Sequence, residues 1–373
     1  MNIIKSTSPV RLIAFFLIAV MLVCTFGFSV DGWTLAAKQN KPSTAPAVNH
    51  QNPTTSEDAD SPTEPSPPEQ EPEIYIPEHV NWLTGVETTE ELASKRPIAV
   101  VMGGESATYS VSYSDILSEF PIEDGSTRLL AFFTDTSNLA KIGTIMPGRN
   151  YITNLSSYFD ATTVCYGYDD VIDYSALKQE KSIFDLTENS GYHYSEYSQY
   201  QYTNSDLITA GIKNIGITTQ KSDTTLPYSF NDFGNDDVKG DTVAESVQIA
   251  FSSSSVTKLQ YSAEDGMYTY AKDGSDYKDL LNGYRLKFKN CLVLFADSVT
   301  YENSSGSQMV LDTLGFGMGY YFTGGSVCNI TWRASDDGVM TIFDSTGKTL
   351  TVNRGQTYIA FAKSSRIQNV TFQ

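Results

Sequence analysis

The first hydrophobic pattern in the chain is an unbroken apolar run near the N-terminus. It spans residues 12–30, LIAFFLIAVMLVCTFGFSV, and follows the basic residues Lys5 and Arg11. A helix of these 19 residues is about 29 Å long, close to the hydrocarbon thickness of a bilayer. Basic residues before such a run favour an N-terminus inside and the rest of the chain outside the membrane. We therefore predict that residues 1–37 are a signal peptide or single-pass membrane anchor and that the folded body lies on the extracytoplasmic side of the cell membrane.

Three outcomes are open for this N-terminal segment. The run can remain as an anchor, it can be cleaved at the small-x-small sequence Thr34-Leu35-Ala36, or it can be processed as a lipoprotein at Cys24. Its length favours the anchor. The lipoprotein route needs small residues just before the cysteine, and Val23 fits that need poorly.

Residues 38–78 carry no hydrophobic pattern. Nine of the 14 prolines fall within residues 40–77, and seven acidic residues fall within 57–73. Such a stretch cannot bury enough apolar surface to offset the entropy of ordering it, and its prolines keep it extended. The pattern predicts a disordered Pro-rich, acidic linker between membrane and folded body.

Continuous apolar runs alternate with helix-like stretches in residues 79–220. Runs of this kind are typical of strands that are covered on both faces. Strands are predicted at 96–102, 128–133, 141–146 and 162–166, and helices at 113–120, 169–178 and 204–213. The third helix begins with capping side chains at Asn204-Ser205-Asp206. This segment is predicted to be a mixed α/β layer domain.

The pattern changes to period two after residue 245. Val247, Ile249 and Phe251 alternate with polar residues, and Asp-Gly turn signals recur among β-branched and aromatic runs. Residues 245–373 are therefore predicted to form a mostly antiparallel β domain, behind a Gly- and Asp-rich interdomain connection at 221–244. The overall fold class is predicted to be α+β.

The charge of the chain excludes one large class of partners. The 373 residues contain 44 Asp and Glu against 25 Lys and Arg, a net charge of −19. Nine acidic and four basic residues precede His79, which leaves 35 acidic and 21 basic residues in the folded body. Because phosphate binding needs clustered cations, nucleic acid is not an expected partner.

The sequence contains few residues for metal or thiol chemistry. It has 3 His and 4 Cys, no C-x-x-C pair, no H-E-x-x-H motif and no Walker A loop. No metal site, cofactor or catalytic residue is therefore predicted, and the protein is expected to be non-enzymatic rather than an enzyme.

A charged cluster between residues 115 and 149 is the first candidate site. It comprises two groups, the acids Asp115, Glu119 and Glu123 and the cations Arg128 and Arg149. The spacing of four would place the acids on one helix face, although Pro121 ends that helix before Glu123. Carboxylates with two guanidinium groups can form a pocket for an anionic or sugar ligand. They can equally form a structural ion-pair network, which is the commoner role of such groups.

A cluster of tyrosines forms the second candidate, an aromatic surface. Aromatic rings stack on sugars, peptides or bases, and bases fit least where cations are few. Tyrosines that merely pack a loop would give the same pattern. The residues are Tyr192, Tyr194, Tyr197, Tyr200 and Tyr202.

Several short segments stand in an order and spacing that is specific when they are taken together. The N-terminal ones are NWLTG at 81–85, RPIAV at 96–100, DILSE at 115–119, EDGSTR at 123–128, KIG at 141–143 and RNY at 149–151. The C-terminal ones are GYYFTGG at 319–325, ITW at 330–332 and NRGQTY at 353–358. In this order and spacing they resemble the YerB-like lipoprotein family, also described as domain of unknown function 3048. The resemblance covers about residues 80–373. It implies a bacterial envelope protein with two domains in tandem, and it implies no reaction.

The chain departs from the family pattern at cationic and titratable positions. Met146 stands where the family has the first of two arginines, and 165–169, CYGYD, replace a His-x-Gly-Gly-Ser-like turn. The segment 197–203, YSQYQYT, replaces a stretch rich in Arg and Lys. Any anion site of the family is therefore expected to be weakened in this divergent member.

Two hypotheses about a molecular function follow from the sequence, and a purely structural module whose acidic surface serves solubility is a third option. The first is a membrane-tethered, non-catalytic module that binds an envelope protein or a glycan. The second is an envelope enzyme that acts on a cell-wall or sugar-phosphate substrate, with a carboxylate of the Glu/Arg pocket as general base. The second hypothesis requires Glu119, Glu123, Arg128 and Arg149 to converge on one cleft.

Overall fold

The computed structural model of the chain describes residues 74–104, 108–168, 182–197, 199–235, 238–303, 306–335 and 337–373. The predicted anchor with Cys24, the predicted linker up to residue 73 and the predicted helix at 169–178 lie outside these residues. Within them, no helix is long and apolar enough to cross a membrane.

Helices are few and short in the described part of the chain. The α-helices are α1 (Glu90–Ser94), α2 (Asn150–Tyr158) and α3 (Ser205–Ile215), and 3₁₀ turns occur at Val111–Tyr113, Ser190–Tyr192 and Ser364–Asn369. Helix α3 confirms the helix predicted at 204–213. The Asn204 side chain accepts a hydrogen bond from Leu207 N at 2.9 Å, and Gly216 ends the helix with a φ of 76°.

Strands make up most of the regular secondary structure in the described residues. The first nine are β1 (Ile98–Gly103), β2 (Ile116–Pro121), β3 (Thr127–Phe133), β4 (Thr162–Cys165), β5 (Ile183–Asp185), β6 (Tyr194–Glu196), β7 (Tyr200–Tyr202), β8 (Ser229–Phe230) and β9 (Thr242–Val243). The next seven are β10 (Ser246–Ala250), β11 (Val256–Ser262), β12 (Met267–Lys272), β13 (Ser275–Asp276), β14 (Lys287–Phe288), β15 (Asn290–Ala296) and β16 (Ser298–Asn303). The last seven are β17 (Gly306–Leu311), β18 (Gly315–Thr323), β19 (Ser326–Ala334), β20 (Met340–Phe343), β21 (Thr351–Val352), β22 (Thr357–Lys363) and β23 (Val370–Phe372).

A large mixed sheet runs through both halves of the described chain. Its strand order is β20-β19-β18-β15-β22-β2-β3-β1-β4-β5, with β9 paired to β19. Strand β22 lies parallel to β2, with Ile116 opposite Thr357 and Glu119 opposite Ala360. The same strand lies parallel to β15 on its other side. Segments that the sequence assigns to two domains therefore contribute strands to one sheet.

A smaller antiparallel sheet packs on one face of the central sheet. Its order is β13-β12-β11-β10-β23, with β14 paired to β12. Val100 and Met102 of β1 face a core that lies between the two sheets. Ala99 and Val101 face a second core, which includes residues of α2. Successive side chains of a strand point to opposite faces, so both faces of β1 are buried. This burial explains the continuous apolar runs at 96–102 and 128–133, where the predicted strands are confirmed.

The structure corrects two element predictions. Residues 113–120 do not form a helix: a 3₁₀ turn ends at Tyr113, and β2 follows in the middle of the central sheet. Residues 141–146 form isolated bridges rather than a strand, because Ile142 pairs with Thr203 and Ile145 with Met102. The predicted strand at 162–166 is confirmed as β4, and the Asp-Gly signals after residue 262 lie in turns between antiparallel strands.

Candidate functional site

A cleft of about 510 Å³ opens between the β2–β3 turn and the β6–β7 hairpin. Its volume lies within the range of small-molecule sites, about 300–1,000 Å³. Residues of both candidate sets from the sequence line it. The lining consists of Gly103, Gly104, Ile122, Glu123, Asp124, Ser126, Thr127, Arg128, Thr144, Met146, Gln199 and Tyr200.

The β2–β3 turn holds the acidic side of the cleft in place. Ser126 N donates to Asp124 Oδ1 at 2.8 Å, and Ile122 N donates to Ser126 O at 3.0 Å. Gly125 adopts a φ of 88°, which a residue with a side chain rarely adopts. The turn thus presents the Glu123 and Asp124 carboxylates at the wall of the cleft.

Arg149 binds the Glu123 carboxylate through two hydrogen bonds. Its Nη1 and Nη2 donate to Oε2 at 2.5 Å and to Oε1 at 2.7 Å. The Arg149 side chain is 1% exposed and the Glu123 side chain 29%. Partial burial raises the pKa of Glu123, but the hydrogen bonds and charge of Arg149 outweigh it and leave that pKa below its usual value. Arg149 therefore lies behind Glu123 and fixes its orientation from outside the cleft lining.

Arg128 lies in the cleft wall at the start of β3. It is only 6% exposed, and its Nη1 donates to the carbonyl of Pro147 at 2.9 Å. This hydrogen bond connects β3 to the segment that carries Met146 on the same wall. The hydrogen bond to Pro147 thus holds the Arg128 guanidinium group in place within the protein.

Glu119 is sealed in the core and does not reach the cleft. It is 0% exposed, forms an ion pair with Lys272 of the smaller sheet, and accepts a hydrogen bond from Tyr358 at 2.6 Å. Burial raises the pKa of Glu119, but the charge and hydrogen bond of Lys272 outweigh it, so the net shift is downward. Thr127 connects the buried Glu119 to the cleft. It lines the cleft and donates a hydrogen bond to Glu119 Oε1 at 2.7 Å.

Asp115 lies at the opposite end of β2 from the cleft. Six residues of strand separate it from the β2–β3 turn, about 20 Å in length. It accepts hydrogen bonds from Thr134 N at 2.7 Å and Asn81 Nδ2 at 3.0 Å. Burial raises the pKa of Asp115 despite these hydrogen bonds. Its partners tie the loop of Asn81 to the start of β2, which is a structural role.

The five tyrosines do not form one aromatic surface around the cleft. Tyr200 is 39% exposed and lines the cleft, while Tyr197 is 86% exposed. Lys141 Nζ lies 3.9 Å from the ring centroid of Tyr202, and Tyr194 packs against Tyr202 with centroids 5.9 Å apart. Tyr192 packs on Phe184 at 5.7 Å. Only Tyr200 of this set therefore offers a ring to a ligand in the cleft.

Five polar residues of the cleft lining and one buried partner were not predicted from the sequence. The polar lining residues are Asp124, Ser126, Thr127, Thr144 and Gln199. The Asp-Gly pair at 124–125 is a turn signal, and it could have placed the Asp124 and Glu123 side chains in one turn. No local signal identifies Lys272, because its partner Glu119 lies 153 positions earlier in the chain.

Comparison with known proteins places the chain in a family. The models of the N-terminal and C-terminal domains of a protein family of unknown function, DUF3048, match residues 83–219 and 247–359. The chain belongs to the DUF3048 family. It is 24% identical over 293 residues to the Bacillus subtilis (strain 168) protein named "Putative lipoprotein YerB", covering 74% of this chain and 84% of that protein.

The fold of this DUF3048 protein is similar to one solved structure. The crystal structure of YerB from Bacillus subtilis superposes with a TM-score of 0.67 at 21% identity, covering 79% of this chain and 99% of that one. The resemblance predicted from the short segments is thereby confirmed at the level of the family and the fold.

Proposed function

We propose that this DUF3048 protein is a membrane-tethered, non-catalytic binding protein of the bacterial cell envelope. The cleft between the β2–β3 turn and the β6–β7 hairpin is its proposed binding site. The observation that carries the proposal is that Glu123 and Arg128 meet Tyr200 around one opening of small-molecule size. Tyr200 belongs to a different segment of the chain from Glu123 and Arg128, and only the fold brings its side chain to theirs.

The state of the carboxylates supports binding rather than catalysis. A general base needs an accessible carboxylate whose pKa lies near the working pH. Both oxygens of Glu123 accept hydrogen bonds from Arg149, and the pKa of Glu123 is lowered. Glu119 is fully buried. The enzyme hypothesis, which requires Glu119 and Arg149 in the cleft with Glu123 and Arg128, is therefore the weaker of the two.

Two observations support the envelope location. The apolar run at 12–30, with basic residues before it and an acidic Pro-rich stretch after it, has the pattern of a tethered extracytoplasmic protein. The Bacillus relative carries the name of a lipoprotein.

A cleft-filling variant tests the proposed site. Ser126 lines the cleft and its backbone N–H donates to Asp124. We expect Ser126→Trp to abolish the capture of envelope components by the tagged full-length protein in detergent, because the indole occupies the ligand volume. Capture is measured by quantitative mass spectrometry of the material that the wild-type protein retains.

Ser137→Trp is the matched control for this experiment. Ser137 is exposed, and its N–H donates to Asp135 Oδ1 at 2.8 Å, as Ser126 N–H does to Asp124. Residue 137 is outside the cleft lining, so this variant should retain the wild-type set of components. Equal retention by the two tryptophan variants would refute the assignment of the site.

A further inference from the structure

The chemistry of the cleft wall limits the charge of its ligand. Glu123 and Asp124 contribute two carboxylates to the lining, and Arg128 contributes its one guanidinium group. The charge of Glu123 is compensated by Arg149, while Asp124 is exposed and faces no ion-pair partner within the described residues. The folded body carries 35 acidic against 21 basic residues. An anionic ligand would therefore meet an unfavourable potential on approach.

The cleft combines a ring surface with hydrogen-bonding groups. Tyr200 presents a partly exposed ring at the edge of the β6–β7 hairpin, and Ile122 and Met146 add apolar surface. Ser126 and Gln199 supply a hydroxyl and an amide, and Asp124 Oδ2 is a free acceptor among the described residues. A flat apolar face bordered by donors and acceptors matches a sugar ring, which has one C–H face and hydroxyl groups at its rim.

We infer that the cleft binds a neutral glycan, with one sugar ring stacked on Tyr200 and its hydroxyl groups bound by Asp124 and Gln199. The inference rests on the proposed function, since it names the ligand class of the same cleft. A volume of about 510 Å³ accommodates a short oligosaccharide end rather than a long buried chain. The glycan is thus held at its terminus or at one exposed unit.

Calorimetric titration of the full-length protein in detergent with three sugar trimers tests the ligand class. The trimers are tri-N-acetylchitotriose, which is neutral, the deacetylated glucosamine trimer, which is cationic, and trigalacturonic acid, which is anionic. We expect the neutral trimer to bind most tightly. Tighter binding of either charged trimer would overturn the inference.

Variants of the ring and the acceptor test the geometry. Tyr200→Ala should raise the Kd of the neutral trimer about tenfold, because the stacking surface is lost. Tyr200→Phe keeps the ring and should bind within about threefold of the wild-type protein. Asp124→Asn preserves the turn but weakens the acceptor and should raise the Kd about three- to tenfold.

Tyr113→Ala is the control for the loss of an exposed ring. Tyr113 is 44% exposed, similar to Tyr200, and lies outside the cleft lining. The Tyr113→Ala variant should leave the Kd of the neutral trimer unchanged. An unchanged Kd in Tyr200→Ala would overturn the stacking geometry.

The outcomes separate this inference from the proposed function. If Ser126→Trp abolishes capture of envelope components but no trimer binds, the cleft is a binding site and the glycan inference is wrong. If Ser126→Trp has no effect on capture, the proposed site is wrong and the glycan inference falls with it.

Discussion

A buried ion pair connects the central sheet to the smaller sheet. Glu119 of β2 and Lys272 of β12 are 0% and 5% exposed. Thr127, Thr257, Tyr270 and Tyr358 also donate hydrogen bonds to the carboxylate, at 2.7, 2.8, 3.0 and 2.6 Å. A buried pair contributes little net stability relative to an apolar core, but a single buried charge without its partner is costly.

We predict that Lys272→Met destabilises the protein by about 3–5 kcal/mol, because the Glu119 charge remains buried without a cation. Lys287→Met is the matched control in the same sheet. Its partner Asp265 is exposed, so the free energy of unfolding should fall by less than about 1 kcal/mol. Urea unfolding at neutral pH measures the free energy of unfolding of both variants, and equal decreases would contradict the prediction.

The pH dependence of the Lys272→Met defect gives a second measurement. In the wild-type protein the pKa of Glu119 is lowered. The stability that this shift contributes is therefore present above the usual pKa of glutamic acid and is lost as pH falls through the lower native value. In Lys272→Met the hydrogen bonds to Glu119 remain but its cation is lost, so burial favours the neutral form and the pKa of Glu119 is higher than in the wild-type protein. The stability difference between the two proteins should therefore narrow as pH falls, down to the lowered pKa of Glu119 in the wild-type protein.

Where the local sequence pattern does not determine whether a segment is a helix or a strand, pairing with distant strands determines it. The four-residue spacing of Asp115 and Glu119 favours a helix, yet both flanks of β2 are occupied by β3 and β22. The partner residues 357–360 lie about 240 positions later in the chain, where no local pattern can indicate them. Helix α3 was predictable because its caps and apolar face are contained within its own sequence.

Gly211 in α3 shows the same limit of local reasoning. Alanine normally stabilises a helix interior relative to glycine by about 1 kcal/mol. A Cβ at Gly211 would lie 2.1 Å from Phe184 Cζ of β5, and Phe184 is fully buried. We predict that Gly211→Ala destabilises the protein by about 1–3 kcal/mol through overpacking.

Thr209→Ala is the control in the same helix. Thr209 is exposed, so the higher helix propensity of alanine should stabilise the protein by a few tenths of a kcal/mol. Opposite signs for the two alanine variants in thermal unfolding would support the packing argument, whereas stabilisation by both would refute it.

The two segments joined at 221–244 share the central sheet. Strand β22 from the C-terminal segment lies between β15 and β2, so a strand of each segment flanks it. The sequence predicts both segments and their class, and the family models match them separately. Their division into two domains stays a prediction.

The cleft could be predicted only in part, since Glu123 and Arg128 are neighbours in the chain while Gln199 and Tyr200 join them through the fold.

A shared sheet predicts that both segments unfold in one cooperative step. Leu130 of β3 and Ile330 of β19 are buried at 0% and 2% exposure in the same core. Leu130→Ala and Ile330→Ala should each cost about 2–5 kcal/mol. Because the slowest-exchanging amides open only on global unfolding, each variant should speed hydrogen exchange equally in β3 and β19. Mass spectrometry of peptides from one sample measures both strands together. If each variant accelerated exchange only in its own segment, the two halves would be independent domains, and the shared sheet would not couple their stability.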